Sequence, residues 1–380
     1  AVAAIEMDAT ATRSIVLAGV AALAVYGSVA VGGARRDLLS GLDAAISQQW
    51  GGAPLWVTPD GNIFDADSFH LVSSQQLARR TNGLVSATQV HQGGFVDLGS
   101  HRLWIRAVPS AGGAPILSSQ LLAGELRRAD ERIRAGGWAA VSSGFAREHS
   151  LPLGGSFTLP TPSGEVPFRV AAVTTNIGWP SGTITLGTRD YSRYWQTTAP
   201  TALSFALAPH ASLPAAKAAL AAALAGQPTL RVQSSEERVA EVKATVHQGL
   251  GTLSKISTLL LVTAALALAT ALATAIYQRR ARLASLKAQG FDRLQLWRGL
   301  LFESAVVLAV GCLDGALLGL YGHALADRYL RADAGFPAPF AVGGLQVAAT
   351  LALMLGIALA VIALPGYSAA GISPQAGFQE

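Results

Sequence analysis

Cysteine occurs once in the 380 residues, at Cys312. A single thiol excludes an internal disulfide and a cysteine-rich metal centre. Charge is scarce as well: Asp, Glu, Lys and Arg make up 13% of the chain, against 51% hydrophobic residues. No G-x-x-x-x-G-K-[ST] is present, so the chain carries no P-loop for a nucleotide. H-E-x-x-H, C-x-x-C and G-x-S-x-G are missing too. The histidines (His70, His91, His101, His149, His210, His247 and His323) are scattered without metal-ligand spacing. A triad assembled from residues distant in sequence stays open, but no residue is singled out as catalytic, and the expectation is a chain that is not an enzyme and holds no cofactor or metal. The net charge of +5 suits anionic headgroups better than nucleic acid, because no basic segment carries interleaved exposed aromatics.

What is present is apolar length. Ser14–Gly33, Leu259–Tyr277, Leu300–Gly322 and Ala341–Pro365 are nearly free of charge. Each has about the 17–25 residues a helix needs to cross a bilayer. Unbroken apolar runs of this kind read as helices, since backbone groups in lipid must be satisfied internally. Arg13 precedes the first run as in a signal peptide, but about 20 apolar residues exceed an ordinary signal core, so a retained anchor is expected. Small residues at Gly32, Gly33 and Ala34 keep cleavage open. The chain starts at Ala1 without an initiator Met, which fits processing or the later half of a longer polypeptide.

Basic residues orient the bundle. Between the second and third windows lie Arg279, Arg280, Arg282, Lys287, Arg293 and Arg298, with Asp292 the sole acid. The positive-inside rule puts this connection in the cytoplasm. Helix alternation then places both termini inside and the long segment after the first window outside. Arg35 and Arg36 oppose the rule locally, an effect that a long translocated domain weakens. The expected division is a cytoplasmic segment 1–13, membrane helix 14–34, outer domain 35–235, stalk 236–258, membrane helix 259–277, cytoplasmic segment 278–298, membrane helix 299–322, outer loop 323–340, membrane helix 341–365 and cytoplasmic tail 366–380.

The outer segment, roughly 200 residues, is large enough for its own core. It reads as mixed α+β. A helix is expected over 37–49, then strands at Pro54–Thr58, Leu103–Val108, Phe157–Leu159, Pro167–Thr174, Thr183–Gly187 and Leu203–Ala208, with one or two helices in Leu121–Phe145. Pro214–Ala225 is alanine-rich but short and holds Lys217, so a surface helix on the sheet is expected there. In Glu236–Ser257, Val239, Val242, Val246, Leu250, Leu253 and Ile256 recur at helical spacing and run into the second window without a proline. One long helix is expected, with Gly249 and Gly251 as points of bending; an amphipathic linker is the alternative. The fold class is thus a membrane α-helical protein with four transmembrane helices and a large mixed α+β extracellular or periplasmic domain between helices 1 and 2.

Three groups of residues stand out. In the basic segment, Leu283 and Leu286 are apolar on a helix-forming stretch, Gly290 breaks it, and Phe291 follows. That surface suits lipid headgroups or a groove on a cytoplasmic partner. In the third window Gly311, Gly315 and Gly319 recur every four residues and form a stripe for close helix packing. Glu303 and Asp314 are acids inside the same window, costly unless protonated, paired or wetted.

The C-terminal third resembles the FtsX-like permease module of MacB- and LolCDE-type ABC transporters. The residues that carry the resemblance are Leu286-Lys287-Ala288-Gln289-Gly290-Phe291, the arginine-containing link to Glu303, the glycines from Gly311 to Gly322, Pro365, and Ile372-Ser373-Pro374-Gln375-Ala376. The outer segment resembles a MacB-like periplasmic core domain through Leu153-Gly154-Gly155-Ser156-Phe157 and Phe168-Arg169-Val170-Ala171-Ala172-Val173. Gln289 stands where the family has an apolar residue, and Ala369-Ala370-Gly371 lacks its usual basic residues. The resemblance implies a coupling segment, with Leu283, Leu286, Lys287, Gly290, Phe291 and Arg293 contacting a separate ATP-binding cassette subunit dimer that holds ATP and Mg. It also implies a second FtsX-like permease module, in the same polypeptide or as an identical or homologous chain. A further expected partner is an extracellular lipoprotein, lipid or substrate-binding protein. The functional expectation is the permease subunit of an export or mechanotransmission complex in the cell membrane. The alternative is an ATPase-driven regulator or scaffold for an extracellular enzyme, without cargo transport.

Overall fold

The first fifty residues contain no proline, and the helix they start is correspondingly long. In the computed structural model, which describes residues 11–369 apart from 62–65, 71–73, 100, 110–115, 117, 177–178, 180, 278–285, 287–288 and 333–334, α1 spans Ala11–Trp50. The two segments expected separately, 14–33 and 37–49, are one element. Its last carbonyl does not fray: Trp50 O accepts from the Trp56 indole N–H (2.9 Å) and from Ser235 Oγ (2.9 Å). Side chains from two other elements thus satisfy a carbonyl that a helix terminus leaves orphaned.

The strands β1 Leu55–Pro59, β2 Val85–Leu98, β3 His101–Val108, β4 Leu121–Ala123, β5 Trp138–Ser142, β6 Ser156–Thr161, β7 Gly164–Thr174, β8 Thr183–Gly187, β9 Ala202–Leu207 and β10 Leu230–Ser234 follow. Among the described residues they form one sheet, ordered β10-β1-β9-β2-β3-β8-β5-β7-β4, with β6 on β7. β3 with β8 and β5 with β7 are parallel; the other pairs are antiparallel. β2 joins the two halves, pairing β9 through Val85–His91 and β3 through Gln92–Leu98. At the crossover Gly94 leaves room for Tyr191, whose hydroxyl donates to Gly93 O (2.8 Å).

The helices of this region are α2 Ser74–Arg79, α3 Leu126–Ala135, α4 Ser143–Glu148, α5 Thr188–Tyr194 and α6 Leu213–Ala223. α6 is the expected surface helix: Ser212 caps it, and Ala216 and Leu220 pack with Leu55, Leu203 and Phe205. Burying each such leucine contributes about 1.5–3 kcal/mol. The 121–145 stretch, where one or two helices are expected, also holds two strands, β4 before α3 and β5 between α3 and α4. The β5 alanines Ala139 and Ala140 are small sheet residues: Ala140, with Ala171 and Ala172 of β7, packs with Ala129 and Ile133 of α3, whereas Ala139 packs with Leu103, Phe168 and Ile184 in the other cluster.

α7 spans Ser235–Tyr277 and is the single long helix expected, continuous through Gly249 and Gly251. It starts with a capping box, in which Ser234 N donates to Glu237 Oε2 (2.9 Å) and Glu237 N to Ser234 Oγ (3.2 Å). The Lys217 ammonium and this backbone bond hold the Glu237 carboxyl below its ordinary pKa. Val239, Val242 and Val246 pack with Ile46 and Trp50 of α1, and His247 Nε2 lies 2.9 Å from Asp43 Oδ1. The contacts run 43 to 247 and 50 to 235, so the end of α1 and the start of α7 form an antiparallel pair.

α8 spans Arg293–Ala332 and α9 Gly344–Ala369. The chain divides into two compact units, one of residues 1–37, 250–327 and 340–380, the other of 38–249 and 328–339. α1, α7 and α8 each contribute to both without a break. Of the four expected spans, two lie in helices that are long and apolar enough to cross a membrane among the described residues: Ile15–Trp50 and Arg293–Ala332. The protein is therefore an α-helical membrane protein with a large mixed α+β domain inserted between two apolar helices. The expectation of four spans exceeds this count.

Candidate functional site: a basic turn and a glycine ridge

α8 begins where the chain reverses. Gly290 has φ of +97°, a conformation that side-chain-bearing residues rarely adopt. Gln289 N and Phe291 N both donate to Leu286 O, at 3.1 and 3.4 Å. Asp292 then takes the N-cap position: its carbonyl accepts from Leu296 N (3.1 Å), while Gln295 Oε1 reaches back to Asp292 N (3.2 Å). This is the return half of a capping box. The turn leaves Phe291 and Leu294 exposed at 44% and 47%.

Of the expected coupling residues, Leu286 is partly buried against the helix core, whereas Gly290 and Phe291 lie on the exposed turn. Leu283 and Lys287 lie outside the described residues, as does the 372–376 motif. Arg293 already has an internal partner. Its Nη2 and Nε donate to Tyr367 O at 2.9 and 3.2 Å, and its guanidinium lies 3.8 Å from the Tyr367 ring centroid. One turn on, Trp297 Nε1 donates to Ala363 O (3.1 Å). Tyr367 O lies in the last turn of α9, where unsatisfied carbonyls and the helix dipole favour a cation.

The three expected packing glycines act together. A Cβ on Gly311 would collide with the carbonyl of Ala18 and come within 2.8 Å of its Cα; one on Gly315 would meet Ala22 in the same way. At Gly319 it would lie 2.8 Å from Val29 Cβ. The contacts ascend together along both helices, so α1 and α8 run parallel with backbones in contact. Ala21, Val25 and Val29 of α1 and Leu308, Cys312 and Ala316 of α8 close the core on either side, with Met354 of α9.

The two acids part company. Glu303 is buried at 5% exposure. Asp314 is exposed, on the stripe opposite the glycines, among Val310, Leu313, Leu317 and Leu318, all more than half exposed. A carboxylate on that apolar surface, roughly 30 Å along α8 from Arg293 at 1.5 Å per residue, is costly facing lipid.

Comparison with known proteins gives two findings. Residues 254–374 match the family model described as FtsX-like permease C-terminal. Among solved structures, the chain is similar to the extracellular domain of the noncanonic ABC-type transporter YknZ from Gram-positive bacteria, with 12% identity and a TM-score of 0.32, over 48% of this chain and 98% of that one. No curated protein matches.

Proposed function

We propose that this chain, whose residues 254–374 match the FtsX-like permease C-terminal model, is the transmembrane subunit, or half of it, of an ABC-type export or mechanotransmission complex. ATP and Mg belong to a separate cytoplasmic cassette dimer. The observation that carries this reading is the continuity of α1, α7 and α8, each running unbroken from the helical unit into the unit that holds the sheet. α1 alone is 40 residues, about 60 Å at 1.5 Å per residue.

The turn of Leu286, Gly290 and Phe291, with Leu283 and Lys287, is the proposed contact for the ATPase. Exposed Phe291 and Leu294 supply the apolar anchors that such an interface uses at its centre. Arg293 contributes by fixing α9 to the turn, so that the two helices move as one. In this reading α7 from Leu259 and α9 are the remaining two of four spans, both termini are cytoplasmic, and the inserted domain is outside. The glycine ridge of Gly311, Gly315 and Gly319 keeps α1 and α8 a rigid pair, and a second permease module covers the α8 stripe that carries Asp314.

Affinity purification of the full polypeptide in nanodiscs, with mass identification of retained subunits, tests the reading. The expected result is a bound subunit carrying a P-loop. A clean complex without an ATPase would remove the central claim.

A further inference from the structure

Away from the basic turn, Asp37 of α1 and His323 and Asp327 of α8 meet in the interior of the helical unit. Their side chains are 2–3% exposed. His323 and Asp327 are four residues apart and so share one face of α8. His323 Nε2 lies 2.9 Å from Asp37 Oδ2 and 3.0 Å from Asp327 Oδ2. The three donor atoms all fall within 4.8 Å of one another.

The surroundings hold this geometry in place. Asp37 Oδ2 also accepts from Ala341 N (2.7 Å), and Arg36 Nη2 lies 3.3 Å from Asp37 Oδ1 while donating to Ala341 O (2.7 Å). The His323 ring stacks at a tilt on Phe340, 4.9 Å between centroids. Its other edge lies against Gly33, where a Cβ would come within 2.6 Å of Nδ1. Gly33 therefore has a packing reason to lack a side chain. A small cavity lined by Gly33, Arg36, His323, Gly343 and Thr350 adjoins the ring.

We propose that Asp37, His323 and Asp327 form a binding site for a divalent transition-metal ion, with zinc the best match. One ring nitrogen, His323 Nε2, lies within 3.0 Å of both buried carboxylates. A dication in their midst would neutralise both carboxylates and use the nitrogen lone pair. Zinc bonds imidazole nitrogen at about 2.0–2.1 Å and carboxylate oxygen at about 2.0–2.2 Å, which sets tetrahedral donor atoms roughly 3.3–3.5 Å apart. The observed 2.9 and 3.0 Å separations need to open by only a few tenths of an ångström. A mixed nitrogen and carboxylate set favours zinc over magnesium or calcium, which prefer oxygen alone. Ala341 N–H and Arg36 supply the outer contacts that orient a ligating carboxylate.

The site bridges α1, α8 and the segment that leads into α9, about 45 Å along α8 from Arg293 at 1.5 Å per residue. A bound metal would lock these elements in the arrangement seen here, because it stabilises whichever state holds the three donors together. The inference does not depend on the coupling reading, since the site involves none of the turn residues.

The test is calorimetric titration of the metal-stripped full chain in nanodiscs with Zn2+ alone, for the wild type, Asp327→Asn, His323→Gln and His247→Asn. Wild type and His247→Asn are expected to bind one ion per chain, and the other two variants to bind at least about 100-fold more weakly. Co2+ added to the wild-type chain, giving the visible absorption bands of a four- or five-coordinate site, is a second measurement that needs no variant. Less than one equivalent of Zn2+ bound by the wild type, or a featureless Co2+ spectrum, would overturn the proposal. So would undiminished binding by folded His323→Gln, or binding lost only in His247→Asn, which would assign the ion to the exposed His247–Asp43 pair.

Discussion

Arg293 opens α8 and caps α9: its guanidinium donates to Tyr367 O at 2.9 and 3.2 Å and lies 3.8 Å from the Tyr367 ring centroid. Lysine at 293 keeps the charge but loses the two-pronged donation and the planar stacking. The Arg293→Lys variant is expected to lose about 1 kcal/mol of stability, the scale of one exposed cation–π contact or net hydrogen bond. Thermal unfolding of the full chain in nanodiscs checks it. An unchanged midpoint would mean that the contact with Tyr367 contributes nothing.

Gly315→Leu places a branched side chain against the Ala22 backbone of α1. Overpacking typically costs about 1–3 kcal/mol, and backbone on the opposing side cannot rotate away. The expected outcome is failed assembly or transport with the inserted domain still folded, read by complex yield and by protease resistance of that domain. Normal assembly and transport would show that the ridge is not a packing surface.

Asp314→Leu removes a carboxylate from an otherwise apolar exposed stripe. If a second permease module covers the stripe, the substitution lowers the dimeric fraction or the turnover of the complex while insertion stays normal. Single-molecule counting in nanodiscs reads the first and an ATPase assay the second. Unchanged association and turnover would point to a lipid-facing carboxyl.

Ser234→Ala deletes one half of the capping box at the start of α7. Loss of such a cap typically costs about 1 kcal/mol. Hydrogen exchange should show faster opening of the first turn of α7, with little change in α8. Equal effects on both helices would mean that the cap stabilises only globally.

His91 is partly buried beside Ser204, and desolvation, with Arg106 and Arg238 nearby, pushes its pKa down to about 3 from 6.5. The folded domain therefore keeps the ring neutral where the unfolded chain takes up a proton. Stability falls as the pH drops from 6.5 toward 3, by at most about 1.4 kcal/mol per pH unit from this group, and levels off below. Denaturant midpoints of wild type and His91→Gln across that range check it, the variant showing the shallower slope. Parallel slopes would assign the acid sensitivity elsewhere.

Two of the four apolar windows, the long α7 and the glycine stripe are legible because each is a strong one-dimensional pattern: sustained hydropathy, valines at helical spacing, glycine every fourth residue. Six strands could be read from β-branched and aromatic runs between glycines and prolines. β2 was not, since Val85–Leu98 mixes Ser, Gln, His and two glycines and changes its partner midway. β5 escaped because Trp138-Ala139-Ala140-Val141-Ser142 is as alanine-rich as a helix. The capping box at Ser234 and Glu237 carries its own signal, S-x-x-E ahead of an apolar stripe. The Asp37–His323–Asp327 cluster had only half of one. His323 and Asp327 sit at helical ligand spacing, but Asp37 is nearly 300 residues away and joins them only through the packing of α1 on α8.

The most direct test of the coupling claim is nucleotide hydrolysis by the reconstituted complex with Leu286→Ala or Phe291→Ala in this chain. The account predicts that permease-stimulated hydrolysis drops to near the rate of the free ATPase subunit while membrane insertion and the folded outer domain persist. Full stimulation with both side chains truncated would contradict it.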